Sequence, residues 1–519
     1  MFQEIAQLLQ ALAAAPNPEQ DLLSHLGIQP ILVHAPAGCG KTHALADRAY
    51  ALVAAGAVRP PHRILALTYS NRAKANLASR MRMRIGPRYW RYVTVTNFHG
   101  LGARLIRSHG DVIGLSPEAK MPERGWRRRA LRSLSVDWRN GPHVEEALRQ
   151  AKADPVSDDE VAERLSTHGV DEATAFQELL TKENRLDFTD LLRHGERILL
   201  VDEVRRLYGL HFCAVFVDEL QDLTVQQFRL ATLVGSDTLT AVGDKAQGIY
   251  TFAGADVDEV FARMKRLKPA EVYLKRSYRS APKVLEVVSH LAGKLGGHEL
   301  KSADPDNWST GGTIAILKRA TPDEEAKELL SRASEIISED DGRSVGIIVR
   351  RNTRAEAILA AASRTSYDVN DWGNPTHTPA VVNLLRQFRK DALASAQDVA
   401  VQLVSLEGMS RAEVAEDDPE LLDDLVAALE SLAEMTRQGA SLEQAINQCR
   451  QAPPSDAPIP PGLHLLTGHG GKGQQFDWVF VVGLEEGHIP DFRQTSPAQV
   501  EEELRVLHVM ISRAREGVV

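Results

Sequence analysis

Short apolar runs alternate with amphipathic segments along most of the chain. The runs are "PILVHA" (30–35), "RILALTYS" (63–70), "YVTVTN" (92–97), "AVFVDE" (214–219), "LTAVGD" (239–244), "GTIAILK" (312–318), "SVGIIVR" (344–350), "GLHLLTG" (462–468) and "WVFVVGL" (478–484). Each is short enough for a buried strand, and most are followed by turn residues or charge. Strands alternating with helical segments predict the α/β class with parallel sheets. Two regions break the alternation. From roughly 101 to 210 the strands vanish, and the sequence is charged and helical, with Trp126 and Trp138. A second strand-free region, roughly 378–450, closes on the proline-rich "APPSDAPIPPG" (452–462). The pattern therefore predicts two α/β cores, each interrupted by a helical insertion. At the amino terminus, Phe2, Ile5, Leu8, Leu9 and Leu12 recur at helical spacing and Glu4 interrupts them. That predicts a helical face rather than a secretory leader. No apolar run approaches membrane-spanning length.

With 519 residues the chain is long enough for several domains and more than one core. Its three cysteines, Cys39, Cys213 and Cys449, are far apart and form no CxxC pattern. This spacing speaks against a zinc cluster or disulfide framework and fits a reducing, cytoplasmic compartment. The net charge of −9 weighs against nucleic acid as a partner, but the charge is unevenly distributed. Residues 63–132 hold sixteen Lys and Arg against three Asp and Glu. A basic run is ordinarily a solvated face. Over seventy residues of an acidic chain, it favours a phosphate-binding surface. Residues 395–448 reverse the balance around "EVAEDDPELLDD".

Two motifs carry chemistry. "APAGCGKT" (35–42) follows a strand and precedes a helix-compatible run. Gly38 and Gly40 let backbone N–H groups curve around an anion at the positive end of that helix. Lys41 would reach the β- and γ-phosphates and Thr42 would hold Mg²⁺. Ala35 replaces the first glycine of the usual pattern, and Cys39 fills a small-residue slot. The alternative is a glycine-rich strand–helix turn. "VFVDELQD" (215–222) is an apolar strand ending in adjacent carboxylates. Asp218 would hold Mg²⁺ through water, and Glu219 would take the proton of an attacking water. Alone, such residues are equally helix caps. With a phosphate loop they make a nucleoside triphosphatase site.

Further motifs occur in order: "NPEQ" (17–20), "TYSNRAK" (68–74), "TNFHG" (96–100), "GDKAQGIYTFAGA" (243–255), "SYRS" (277–280), "TGHGGKGQQF" (467–476) and "EEELRVLHVMISRAR" (501–515). In this order and number they make the chain resemble the UvrD/Rep family of superfamily 1 helicases, from about Asn17 to Arg515. "DFTDLL" (187–192) is similar to a further family segment. The resemblance implies two RecA-like phosphate-loop domains. Domain 1A would span 1–106 and 200–270, and its helical insertion 1B would span 107–199. Domain 2A would span 271–377 and 459–519, with a reduced, acidic 2B-like insertion at 378–458.

The resemblance also implies residue roles. ATP and Mg²⁺ would be bound by Gln20 on the adenine edge, the loop Ala35, Pro36, Ala37, Gly38, Cys39, Gly40, Lys41, Thr42 and His43, and Tyr278 stacked on the base. Gly473 and Gln475 would lie beside the nucleotide. Arg279 and Arg513 would reach the γ-phosphate, since arginine stays charged and binds oxygens bidentately. Gln247 would sense the γ-phosphate or the attacking water. Single-stranded DNA would meet Thr68, Asn71, Phe98, His99, Phe252 and His469, with Tyr250 as a further contact or a buttress. Three residues depart from the family pattern: Ala253 where an arginine is frequent, Gln475 for a glutamate, and His508 for a tyrosine. The chain stops at "REGVV", where the family pattern would continue a strand, so a truncated chain or a short strand is expected there.

The implied function is ATP-driven translocation on single-stranded DNA and 3′–5′ unwinding of tailed or forked duplex, with no membrane partner. The alternative is a motor subunit of a larger assembly, working with a nuclease or other protein in antiphage defence. The compact build and the acidic 395–448 region favour that alternative.

Overall fold

The β-branched and leucine-rich runs form the strands, and their pairing sets the layout of everything else. The computed structural model describes residues 18–121, 126–134, 136, 141–308, 310–365, 369–372, 379–413 and 459–519, and part of 425–447. The amino-terminal helical face, Trp138, Cys449, most of the acidic segment and residues 452–458 of the proline-rich run lie outside the described residues. The chain divides into two units. One comprises Met1–Pro122, Leu134–Ala315 and Glu485–Val518; the other comprises Glu123–Ser133, Ile316–Leu484 and Val519. Residues 271–315 and 485–518 thus group with the phosphate-loop motif.

The first unit contains β1 (Ile31–His34), β2 (Arg63–Thr68), β3 (Val93–Asn97), β4 (Phe212–Val217), β5 (Leu239–Gly243) and β6 (Ala270–Tyr273). They form one sheet in the order β3-β2-β4-β5-β1-β6. Every pairing is parallel. All carboxyl ends therefore lie along one edge, the edge that binds ligands in open α/β sheets. β2, β4 and β5 are buried almost throughout, as expected for strands covered on both faces. The unit also holds β7 (Arg276–Ser277) paired with β8 (Lys301–Ser302), and β9 (Thr313–Ile314) paired with β14 (Ala514–Val518). The run "GTIAILK" was expected as a full strand, but only two of its residues pair, and Ile316 is exposed. Its two isoleucines, Ile314 and Ile316, find no cover.

The first insertion is helical, with Gly141–Ala151, Asp158–His168, Asp171–Lys182 and Phe188–Leu199 among its helices. Helix Phe188–Leu199 packs closely on helix Phe98–His109. A Cβ on Gly102 would fall 2.2 Å from the Leu191 carbonyl oxygen, so only glycine permits this approach. Lys152, wholly buried, is held by Asp187 at 2.8 Å and Asp190 at 2.9 Å. Those two aspartates form the capping box of the same helix.

The second unit contains β10 (Ser344–Val349), β11 (Val369–Asp371), β12 (Gly462–Thr467) and β13 (Phe476–Val482), in the order β11-β12-β10-β13. These pairings are also parallel. Val345, Ile347, Leu465 and Phe480 pack with Leu329 and Leu330 of helix Pro322–Glu339. Helices between 379 and 447 close around a separate apolar core that includes Val381, Leu385, Leu406 and Leu432. No described residue of that stretch is in a strand. Both units are α/β with parallel sheets, the RecA-like class, and helices occupy both expected insertion regions. No helix among the described residues is long and apolar enough to cross a membrane.

Candidate nucleotide site and strand-end aromatic patch

β4, β5 and β1 are neighbours, so three motif-bearing loops leave the sheet side by side. After β1 the chain turns through Gly38 (φ 81°) and Gly40 (φ 78°) into helix Lys41–Ala54. A Cβ on Gly38 would fall 2.4 Å from Ser277 Oγ and 2.7 Å from Arg279 Cβ, so the loop is pressed against "SYRS". The Tyr278 amide donates to the Gly38 carbonyl at 3.1 Å. Ala35, Pro36, Ala37 and Cys39 are buried beneath the loop. Burial, with Asp244 nearby, pushes the Cys39 thiol up to about 12, so it has no thiolate chemistry. Gln20 Nε2 donates to the Cys39 carbonyl at 3.0 Å, which places the "NPEQ" glutamine on the loop. His43 projects outward, 3.3 Å from Asp47.

Lys41 Nζ lies 3.2 Å from Glu219 Oε2. Burial alone would lower the pKa of Lys41, but Glu219, Asp244 and Asp218 outweigh it and hold the amine charged. Thr42 Oγ1 donates to Asp218 Oδ2 at 3.3 Å. Burial and the adjacent Glu219 push Asp218 up to about 7. The Thr42 hydroxyl and the Asp218 carboxylate oxygen are hard donors, and Lys41 only partly offsets the cost of burying that carboxylate, so the pair fits Mg²⁺. Glu219 adopts φ 55°, a left-handed conformation that costs a non-glycine residue of order 1–3 kcal/mol.

Arg279 and Arg513 approach the same group of charges. Arg279 donates to the Ser512 carbonyl at 3.2 Å. Arg513 donates to the Val509 carbonyl at 2.9 Å and Ser512 Oγ at 2.8 Å. Neither is in a salt bridge among the described residues. Burial lowers Arg279 to about 10. Burial together with the neighbouring Arg279 lowers Arg513 to about 9. Two guanidinium groups with no salt bridge among the described residues, Arg513 buried and Arg279 half-buried beside the phosphate loop, form a receptor for anionic oxygens. Tyr278 is half-exposed beside them. His508 is wholly buried, and burial lowers its pKa, so the ring is neutral. Gly473, Gln475 and His469 lie in the loop between β12 and β13 of the second unit. Gln475 is exposed there and Gly473 has φ 86°.

Two buried polar residues not singled out in the sequence tie the loops together. Gln221 Nε2 donates to Glu219 Oε2 at 2.6 Å, while its Oε1 accepts from the Asp244 amide at 3.0 Å. Asp244 in turn accepts from Gln247 Nε2 at 2.5 Å. One amide thus joins the β4 carboxylate to the β5 loop that carries Gln247. Arg48 is buried and donates to the carbonyls of Leu23, Leu26 and Gly27 and to Thr240 Oγ1. It satisfies carbonyls at the end of helix Pro18–His25 and so holds Gln20 in place. A lone arginine in a helical sequence reads as surface, and only burial reveals this role.

The residues expected along DNA separate into two groups. Phe252 is 69% exposed. Tyr250 stacks on Tyr69 with centroids 5.6 Å apart and lies edge-on to Phe252 at 5.9 Å. Asn71 is exposed and accepts from Asn97 Nδ2 at 2.9 Å. His99 lies edge-on to the exposed Phe188 at 6.1 Å. Phe98, expected as a stacking contact, is instead 0% exposed and packed in the core of the first unit. Thr68 is likewise fully buried. Neither presents its side chain to a ligand in this arrangement, since both are buried and Phe98 packs inward from the first turn of helix Phe98–His109. Beside Ala253, the Arg149 guanidinium crowds the position a Cβ on Gly254 would take, with Nη1 2.5 Å away. A cation from the insertion therefore stands next to the residue where the family pattern places one.

A parallel sheet with a glycine-curved loop after β1, facing paired carboxylates after β4, defines a RecA-like phosphate-loop protein. The sequence model of the UvrD/REP helicase N-terminal domain matches residues 16–268, and that of the UvrD-like helicase C-terminal domain matches 380–519. The chain is 27% identical to the ATP-dependent DNA helicase UvrD2 of Mycobacterium tuberculosis, across 94% of this chain and 75% of the relative. It is 25% identical to UvrD1 of the same species and to PcrA of Bacillus subtilis, in each case across 96% of this chain and 82% of the relative. The chain belongs to the UvrD/Rep-like family of superfamily 1 helicases.

Proposed function

We propose that this chain is an ATP-dependent, Mg²⁺-requiring DNA helicase that translocates 3′–5′ on single-stranded DNA in the cytoplasm. The observation that carries the reading is the convergence of Lys41, Asp218, Glu219 and the Gln221–Asp244–Gln247 bridge at three neighbouring strand ends. Beside them stand two arginines with no carboxylate partner among the described residues. In this reading Lys41, Arg279 and Arg513 hold and neutralise the triphosphate. Thr42 and Asp218 hold Mg²⁺, which supplies further charge neutralisation on the phosphates. Gln247 orients the attacking water and Glu219 accepts its proton as the water oxygen bonds to the γ-phosphorus and the bond to the ADP oxygen breaks. Gln20 and Tyr278 take the base. Phe252, Tyr250, His99 and Asn71 contact the strand, where base stacking contributes about 1–3 kcal/mol per base.

The test is ATP turnover with and without single-stranded DNA. Lys41→Ala and Glu219→Gln are each expected to lower stimulated turnover by roughly 100- to 1,000-fold. Unchanged turnover in both overturns the site. Strand separation of 3′-tailed against 5′-tailed duplex tests polarity. Turnover without unwinding of either substrate favours the motor-subunit alternative.

A further inference from the structure

The opposite end of the same sheet carries a second concavity. It encloses about 380 Å³, and its lining includes Arg63, Arg104, Tyr208, His211 and Phe212. Arg63 is the first residue of β2 and Phe212 the first of β4. The phosphate loop follows the last residue of β1. Since these strands are parallel, the concavity lies at the amino ends and the nucleotide site at the carboxyl ends. A six-residue strand separates such ends by about 17–20 Å. The concavity is therefore a separate site.

Its lining is cationic and apolar, with no acidic residue among the described ones. Neither Arg63 nor Arg104 is in a salt bridge among the described residues. Arg63 Nη2 donates to the Val93 carbonyl at 2.8 Å, while its Nε is buried without a hydrogen-bond partner among the described residues. Burial first, and then Arg104, lowers Arg63; burial, Arg63 and Arg104 lower His211. Two guanidinium groups held close together, with no carboxylate in the lining among the described residues, are stabilised by an incoming anion. Beneath them Phe212 and Tyr208 are buried, with His109 edge-on to Tyr208 at 5.8 Å. Leu207 and Leu210 on helix Asp202–His211 are 53% and 69% exposed. Leu207 lines the concavity, and the helix thus presents apolar surface next to the cationic cluster.

We propose that this concavity docks an acidic peptide segment of a protein partner, a carboxylate seating on Arg63 and Arg104 and an adjacent apolar side chain on the exposed Leu207, above the buried Tyr208 and Phe212. Charge complementarity selects the acidic group. The exposed leucines select a peptide over nucleic acid, because phosphate contacts make no use of an apolar rim. The volume lies at the small end of the ligand-pocket range, enough for one side chain and one carboxylate.

The test uses the full chain and a fluorescein-labelled peptide of sequence Asp-Glu-Leu-Phe-Asp, followed by anisotropy at constant salt. Saturable binding is expected, weakened at least about tenfold (1.4 kcal/mol) by Arg104→Glu and by replacing the peptide's acids with amides. Arg104 is exposed, so the variant should keep its thermal midpoint and its ATP turnover. Arg63→Gln, which removes charge but keeps a polar side chain, provides the second variant. The proposal is overturned if the peptide fails to bind at about 1 mM, a −4.1 kcal/mol threshold. It is equally overturned if the neutral peptide binds as well, or if Arg104→Glu changes affinity less than twofold. Displacement of the peptide by oligodeoxythymidylate, with loss of DNA binding in Arg104→Glu, would instead make this a nucleic-acid surface and also overturn it. Displacement by inorganic phosphate alone, with no contribution from the leucine and phenylalanine of the probe, would reduce it to a simple anion site and overturn it too.

Discussion

The loops after β3 and β5 leave the same sheet edge, and each carries a phenylalanine that family resemblance assigns to DNA. Phe98 is 0% exposed and Phe252 is 69% exposed. The difference lies in the path the chain takes on leaving the strand. After β3 the chain enters the twelve-residue helix Phe98–His109 at once, and Asn97 caps it by accepting from the Gly100 amide at 2.7 Å. Phe98 is that helix's first residue and faces the sheet. Gly102 then lets helix Phe188–Leu199 close over the same core. After β5 the chain makes two three-residue 3₁₀ turns, Lys245–Gln247 and Thr251–Ala253. Such turns are too short to cover a ring. An aromatic at a strand end becomes core when a long amphipathic helix comes next, and surface when the chain stays in short turns.

Mutation should separate the two rings. Phe98→Ala is expected to lower unfolding stability by about 3–5 kcal/mol, read by denaturant titration. It should alter DNA binding only through the loss of folded protein. Phe252→Ala should leave stability within about 0.5 kcal/mol. It should keep basal ATP turnover and weaken DNA affinity by about 1–3 kcal/mol, measured by fluorescence titration with an oligonucleotide. Equal destabilisation by both changes would remove the distinction.

The nucleotide half of the β5 loop is tested through Gln221. Gln221→Leu keeps volume but removes the bridge between Glu219 and Asp244. Hydrogen bonds to charged groups contribute about 1.5–3 kcal/mol, so a fall of roughly tenfold or more in kcat is expected, with little change in KM for ATP. A change confined to KM would assign Gln221 to binding instead.

The smallest effect concerns the cover over Phe98. Burial alone would raise the pKa of Asp190, but Lys152 and Arg193 outweigh it and hold the carboxyl well below the usual range. A depressed carboxylate stabilises the fold above its unfolded value of about 3.9, and this contribution is lost as the pH falls through that value towards the folded one. Acid titration should therefore destabilise the wild-type insertion below about pH 4. Asp190→Asn should flatten that dependence while lowering stability at neutral pH.

Much of the sheet was legible because its strands are continuous apolar runs. β1, β2, β4, β5, β10, β12 and β13 appear within about two residues of the expected positions. β6 ("AEVY") and β14 ("AREGV") are short and carry charge, so no apolar run marks them. The phosphate-loop residues and the paired carboxylates were legible because anion binding next to a helix start demands those residue types at that spacing. Gln221 and Arg48 were not, since a glutamine or arginine reads as surface until its partners are in place.

By itself the amino-acid sequence determined the strand cores, the loop able to curve around a phosphate, the acidic pair and the order of motifs, since each depends on neighbours a few residues apart. Only the tertiary structure decided which aromatics are core and which are surface. It alone made β4, β5 and β1 adjacent, carried one glutamine amide between two strand ends, and gathered Arg63, Arg104 and His211 at the other end of the sheet. These outcomes depend on the pairing order of strands far apart in the chain, which local residue pattern does not encode.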